Sequence, residues 1–218
     1  MSKTFWAIIA ALIIIFGGIA VINSNKNQDN TSSSSSATTH HVQGDASSGV
    51  TLVEYGDYQC PYCEEYYQTV KGVVAQYQDK IQFQFVNFPL TSIHQNAFAA
   101  ARAAEAAGKQ GKYWEMHDTL YENNDATGGS GWISSTSPTT YFNKFAQDIG
   151  LNVDKFKKDY ASSAVNAAIT ADMNKGNKLG ITGTPTFYVN GKQTTIANDA
   201  AAFQKVLDAA IKAKSSKS

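Results

Sequence analysis

The clearest capacity for chemistry in this sequence lies in Cys60-Pro61-Tyr62-Cys63, which holds the only two cysteines of the chain. Thiols at this spacing can close a disulfide, join a metal site, or exchange a disulfide with another molecule. A bridge between residues this close shuts a very short loop, which removes little chain entropy from the unfolded state, so a structural staple is energetically weak. A structural metal centre needs about four ligands, and the sequence around the pair offers too few. Exchange is the chemistry that the pattern favours. A thiol at a helix N-terminus faces unpaired backbone N–H groups and the positive end of the helix dipole, and C-x-x-C thiols there reach pKa values of roughly 3.5–7.5. Cys60 stands at such a start, with Pro61 where a missing N–H is not needed. Each unit of depression is worth about 1.4 kcal/mol, and stabilising the reduced form makes the disulfide a stronger oxidant. Cys63, one turn in, is the more shielded partner.

The elements that must hold these sulfurs are legible on both sides. Val50 to Tyr55 is apolar and β-branched apart from Glu54, the pattern of a strand within a sheet, and Gly56-Asp57 breaks it. Tyr66, Tyr67, Val70, Val73, Val74 and Tyr77 recur at three- and four-residue steps, predicting an amphipathic helix of about five turns from Cys60. Ile81, Phe83 and Phe85 alternate with Gln82 and Gln84 as a second strand. The unit is a βαβ crossover with the cysteines at its strand-to-helix turn. A helical block follows, from about residue 91 to 180, with a helix capped at Ser92 and running through an alanine-rich face to Gly108, and others over 109–123, 141–149, 153–160 and 165–179. Gly128-Gly129-Ser130-Gly131 marks a loop within it. Strand character returns at Thr184-Pro185-Thr186-Phe187-Tyr188-Val189, Asn190-Gly191 signals a hairpin with a return strand near 194–196, and Asn198 or Asp199 caps a last helix.

Ahead of this domain, Phe5 to Ile22 is free of charge over 18 residues, roughly 27 Å of helix against a hydrocarbon core of about 30 Å. It is expected to be an uncleaved transmembrane anchor, a cleaved signal peptide being the rival reading. Lys3 before it places residues 1–4 in the cytoplasm and the rest outside, by the positive-inside tendency. Residues 23–49, with the serine run Ser32 to Ser36, are expected to be a solvated linker in which His40 and His41 carry no metal role. The domain is set at residues 50–214, with 215–218 as a tail. Lys plus Arg and Asp plus Glu are balanced at 18 each, so overall charge gives no argument for a nucleic-acid or anionic-surface partner. At 43% hydrophobic residues the chain can build a substantial core.

The stretches Val53-Glu54-Tyr55-Gly56-Asp57-Tyr58-Gln59-Cys60-Pro61-Tyr62-Cys63, Gln110-Gly111-Lys112-Tyr113-Trp114-Glu115-Met116-His117-Asp118 and Gly183-Thr184-Pro185-Thr186-Phe187 together resemble the DsbA-like branch of the thioredoxin fold. With the apolar N-terminal run the sequence is most similar to membrane-tethered, extracytoplasmic oxidoreductases of the BdbD kind. That resemblance implies an α/β thioredoxin fold with an inserted helical subdomain, preceded by one transmembrane helix. It implies a protein disulfide oxidase with no cofactor beyond the Cys60–Cys63 disulfide itself, acting on reduced secreted or surface proteins and reoxidised by a quinone-linked membrane partner of the DsbB or VKOR type. It implies a buried acid beneath the disulfide at Glu54, as proton relay to Cys63, against the alternative of a strand-edge glutamate in water. It also implies a cis Pro185, with Thr184, Pro185, Pro61 and Tyr62 on the substrate-binding face. One departure matters: many DsbA-like oxidants have Pro-His between the cysteines, whereas Tyr62 brings no cationic imidazole. A reductase or isomerase kept as dithiol, or a tethered binding or chaperone module, are the rival functions. Asp57 is expected to be a turn residue, and His94 and His117 packing or surface residues of the helical block.

Overall fold

The computed structural model describes residues 39–124 and 131–216, so the apolar run at 5–22 and most of the predicted linker lie outside the described residues. Five strands form one sheet in the order β1-β3-β2-β4-β5. They are β1 (His41–Gly44), β2 (Thr51–Gly56), β3 (Gln82–Asn87), β4 (Thr186–Val189) and β5 (Lys192–Gln193). β2 and β3 run parallel, Glu54 beside Phe85, and the other pairings are antiparallel. The parallel pair requires a crossover, supplied by α1 (Pro61–Gln76). Its apolar stripe, Cys63, Tyr67, Val70, Val73 and Val74, is buried. On the same side α7 (Ala200–Ser215) packs against α1, Tyr77 donating to Asp208 at 2.8 Å.

The helical block between β3 and β4 comprises α2 (Ala97–Gly108), α3 (Tyr113–Glu122), α4 (Thr139–Asp148), α5 (Val153–Tyr160) and α6 (Ser163–Lys178). Small side chains let α2 sit at its centre: Ala100, Ala103, Ala104, Ala106 and Ala107 are fully buried, and α3, α4, α5 and α6 all pack on this one helix. α2 begins at Ala97 behind Asn96, so Ser92 is not its cap as predicted, and the return strand of the hairpin is Lys192–Gln193 rather than 194–196.

The predicted linker boundary needs correction. β1 is an edge strand of the sheet rather than tether, and its residues are held by buried charge. Asp172 of α6, fully buried, accepts from the Thr39 backbone N–H at 2.8 Å, from the Thr39 hydroxyl and from the Asn87 N–H. Asn87 also donates to Glu105 of α2 at 2.8 Å, and His41 Nε2 lies 2.9 Å from both oxygens of Glu105 while its ring stacks on Tyr113. A solvated His41 was the expectation. The composition of 23–49 hid a short strand because its inward partners are polar residues far away in sequence.

Close packing behind the site sets a test. At Gly56, the last residue of β2, a Cβ would fall 2.3 Å from Phe85 Cε2 and 2.5 Å from Cζ. Phe85 is fully buried and has nowhere to move. Gly56→Ala should therefore cost about 1–3 kcal/mol, or more, by overpacking, seen as a lower urea midpoint at an unchanged slope. An unchanged midpoint would show that β2 and Phe85 can separate freely.

Candidate active site

β2 ends at Gly56, and the next four residues form a tight turn that delivers Cys60 to the start of α1. The Cys60 N–H donates to the Asp57 carbonyl at 3.1 Å, and the Gln59 N–H donates to Asp57 Oδ1 at 2.8 Å. Asp57 is thus the turn residue expected, and it is also a fully buried carboxylate. Cys60 caps the helix with extended backbone, Pro61 following at the first helical position. The Thr184–Pro185 bond, which is cis, brings the Thr184 carbonyl to 3.4 Å from Cys60 Sγ, so the thiol donates to it. The sequence separation is 124 residues, yet both come from the ends of the neighbouring strands β2 and β4.

The two sulfurs have opposite acidities for physical reasons. The hydrogen bond from the Cys63 thiol, with help from the Thr184 side and the backbone N–H groups of Cys63 and Tyr62, outweighs burial and brings the Cys60 pKa down to about 6. Burial and the nearby Cys60 push the Cys63 thiol well up. The Thr184 hydroxyl favours both thiolates, though in the dithiol geometry it makes no directed hydrogen bond. Glu54, 4% exposed in β2 between Phe85 and Phe187, has its pKa pushed up to about 8, first by burial and then by the charge of Cys60. It faces a cavity of about 280 Å³ whose lining includes Tyr67, Lys71, Trp114, His117 and Asp118. Pro61 and Tyr62 are both exposed, Tyr62 at 64%.

The fold thus sets an acidic, barely accessible thiol against a shielded one, beside a cis-proline loop and near a neutral buried acid, on a βαβ–ββα frame. A family model described as Thioredoxin matches residues 36–209. The chain belongs to the thioredoxin family. A thioredoxin-like oxidoreductase from Silicibacter pomeroyi DSS-3 is 31% identical, with a TM-score of 0.64, covering 79% of this chain and 92% of that one. Oxidised BdbD from Bacillus subtilis, 23% identical with a TM-score of 0.68 over 79% of this chain and 93% of that one, shares the fold. Curated relatives include Na(+)/H(+) antiporter NhaA 3 of Salinispora tropica, 33% identical over 70% of this chain, and NhaA 1 of Mycolicibacterium gilvum, 33% identical over 78%. The chain spans 22% and 26% of the length of those two proteins.

Within this thioredoxin fold the residues singled out in the sequence do not all share one role. Cys60, Cys63, Pro61, Tyr62, Thr184, Pro185 and Glu54 converge at one end of the sheet. His117 is core: it lies among Tyr58, Phe85, Trp114 and Tyr121, its Nδ1 is 3.1 Å from the Tyr58 hydroxyl, and burial drops its pKa to about 3, so it is neutral. His94 is not the surface or packing residue expected. It lies 2.7 Å from Asp57 Oδ2, on the cysteine turn itself. Helical periodicity could not find that contact, because His94 sits in the loop before α2 begins.

The split in acidity is testable in the reduced protein. Alkylation of Cys60 should follow a titration centred near pH 6, while Cys63 stays unreactive to beyond pH 9. Two cysteines reacting alike, with a midpoint near 9, would contradict the asymmetry.

Proposed function

We propose that this protein is an extracytoplasmic thiol:disulfide oxidoreductase that oxidises reduced secreted or surface proteins through Cys60–Cys63. The observation that carries this reading is the pairing of an acidic Cys60 thiol with the Thr184–Pro185 loop at 3.4 Å. A low-pKa thiol is a good leaving group, and its stabilised reduced form makes the disulfide an oxidant. A substrate thiolate attacks Cys60 Sγ, the Cys60–Cys63 bond breaks, and Cys63 leaves as a thiolate that takes a proton. A second substrate thiolate then attacks the substrate sulfur of the mixed disulfide and Cys60 leaves, so the substrate loses two electrons and the protein gains them.

Glu54 suits the proton's source. With its pKa near 8 it is a neutral acid at pH 7, and on the thiolate's departure from Cys60 it can hand a proton to Cys63 and regain one through the cavity at its back. Substrate recognition would use backbone at Thr184, a groove of about 210 Å³ lined by Tyr66, Pro185, Phe187 and Ile196, and the exposed Tyr62. The apolar run 5–22 supports a cell-membrane anchor with the domain outside, and with it a quinone-linked membrane protein of the DsbB or VKOR type as reoxidant.

Mixing the oxidised protein with a reduced two-cysteine peptide tests the reading. The wild type should oxidise the peptide, and Cys63→Ser, presented with an oxidised peptide, should instead accumulate a mixed disulfide through Cys60. Glu54→Gln should slow proton-coupled opening of the disulfide about tenfold or more below pH 8 and less above it. A reduction potential near that of cytosolic dithiols would mark a reductase, and unchanged activity in Cys60→Ser would end every catalytic version.

A further inference from the structure

Tyr62 points into solvent and carries no charge, so the dipeptide between the cysteines gives the Cys60 thiolate no cation. An imidazole reaches the turn from the loop before α2. Asp57 Oδ2 accepts from the Leu90 N–H at 2.9 Å and stands 2.7 Å from His94 Nδ1. Two residues on, the Asn96 N–H donates to Gln59 Oε1 at 2.7 Å, and Asn96 Nδ2 reaches the carbonyls of Trp132 and Ser135. The loop is thus fastened to the Asp57–Cys60 turn on both sides of His94, whose side chain is only 15% exposed. Among the described residues, the ionisable groups interacting with His94 are Asp57 and Cys60.

We propose that His94, seated on Asp57, is the positioning residue that supplies positive charge to the Cys60 thiolate and thereby sets how strongly the disulfide oxidises. This rests on the exchange at Cys60 described above. The Asp57 contact favours the imidazolium, and the Cys60 thiolate favours it further. Coupling of two ionisations is reciprocal, so a His94 cation that the thiolate stabilises must stabilise the thiolate equally. The disulfide has no charge to offer. The stabilisation therefore belongs to the dithiol state alone, which is the condition for a more oxidising pair. Asp57 is indispensable to the device and also opposes it, since its own negative charge partly cancels the cation it holds.

The imidazole titration of His94, followed by NMR in the full-length protein, tests this directly in the dithiol and disulfide states. His94 should titrate about half a unit or more higher in the dithiol. In parallel, His94→Gln should raise the Cys60 pKa by about half to one unit, read below pH 6 as a roughly three- to tenfold loss of thiolate, and weaken the protein as an oxidant against glutathione by about three- to fivefold at pH 7. His94→Arg should keep most of both. Identical His94 titration in the two states, or a folded His94→Gln protein with the wild-type Cys60 pKa, overturns the proposal. A His94 that merely packs the loop would leave the redox-linked shift at zero, and the wild-type titration decides the matter even where a variant fails to fold. Peptide exchange by the wild type reports on the parent reading separately: its absence alongside a redox-linked His94 shift sinks the function and keeps the coupling, and normal exchange without the shift does the reverse.

Discussion

The end of β2 is a place where several acids compete for very little capacity to hold negative charge. Glu54, Cys60 and Cys63 are all buried there and interact electrostatically, and burial raises the cost of each anion. The first turn of α1 supplies its backbone donors, and Cys63 its thiol, to Cys60. Ionisation therefore settles on Cys60, and its charge is part of what keeps Glu54 neutral. The two groups move the stability of the dithiol protein in opposite senses. The lowered Cys60 pKa contributes stability that is present above pH 9 and lost as pH falls through about 6. The raised Glu54 pKa contributes stability that is present below 4.5 and lost as pH rises through about 8.

Much of the remaining architecture keeps that arrangement rigid while adding no charge to it. The cavity behind Glu54 is lined in large part by aromatic rings, with Lys71 and Asp118 as a charged pair on it, and its one imidazole, His117, is held neutral by burial. Tyr58 stacks on Phe85, and its hydroxyl donates to the Tyr113 hydroxyl and lies 3.1 Å from His117 Nδ1, while Asn124 of the helical block donates to the Tyr58 carbonyl at 2.6 Å. Helix α6 comes so near β3 that a Cβ at Gly176 would lie 2.5 Å from Phe88. The inserted helices thus brace the turn that carries the cysteines from several directions, and the 39–44 segment locks them to β3 through Asp172, Asn87 and Glu105.

What the sequence made legible follows from range. The C-x-x-C turn, the βαβ unit, the proline-led hairpin and the helical block all write themselves in local period and turn chemistry, so their existence was readable and their ends drifted by a few residues. Glu54 announced itself as a lone charge in an apolar strand. The contacts that escaped join residues far apart with no local pattern at all: His41 to Glu105, Thr39 to Asp172, His94 to Asp57. Each is a buried or half-buried polar pair, which period analysis scores as a break in the apolar pattern and therefore as surface.

Glu54 shows why such breaks repay a chemical explanation. Among the described residues it has no hydrogen-bond partner, and it interacts with no cation. Holding a carboxyl neutral at pH 7, when the unfolded chain would ionise it at 4.5, costs the dithiol fold about 3 kcal/mol. That is a large share of the 5–15 kcal/mol by which domains are typically stable. An uncharged glutamine or leucine of similar volume would escape the penalty, so nothing in packing or stability calls for an acid here. Proton transfer does under the proposed exchange: a group that is protonated at pH 7, lies near both sulfurs and opens onto a cavity can meet a departing thiolate with a proton, which neither leucine nor glutamine can do. The energetic cost and the chemical use are two consequences of the same burial.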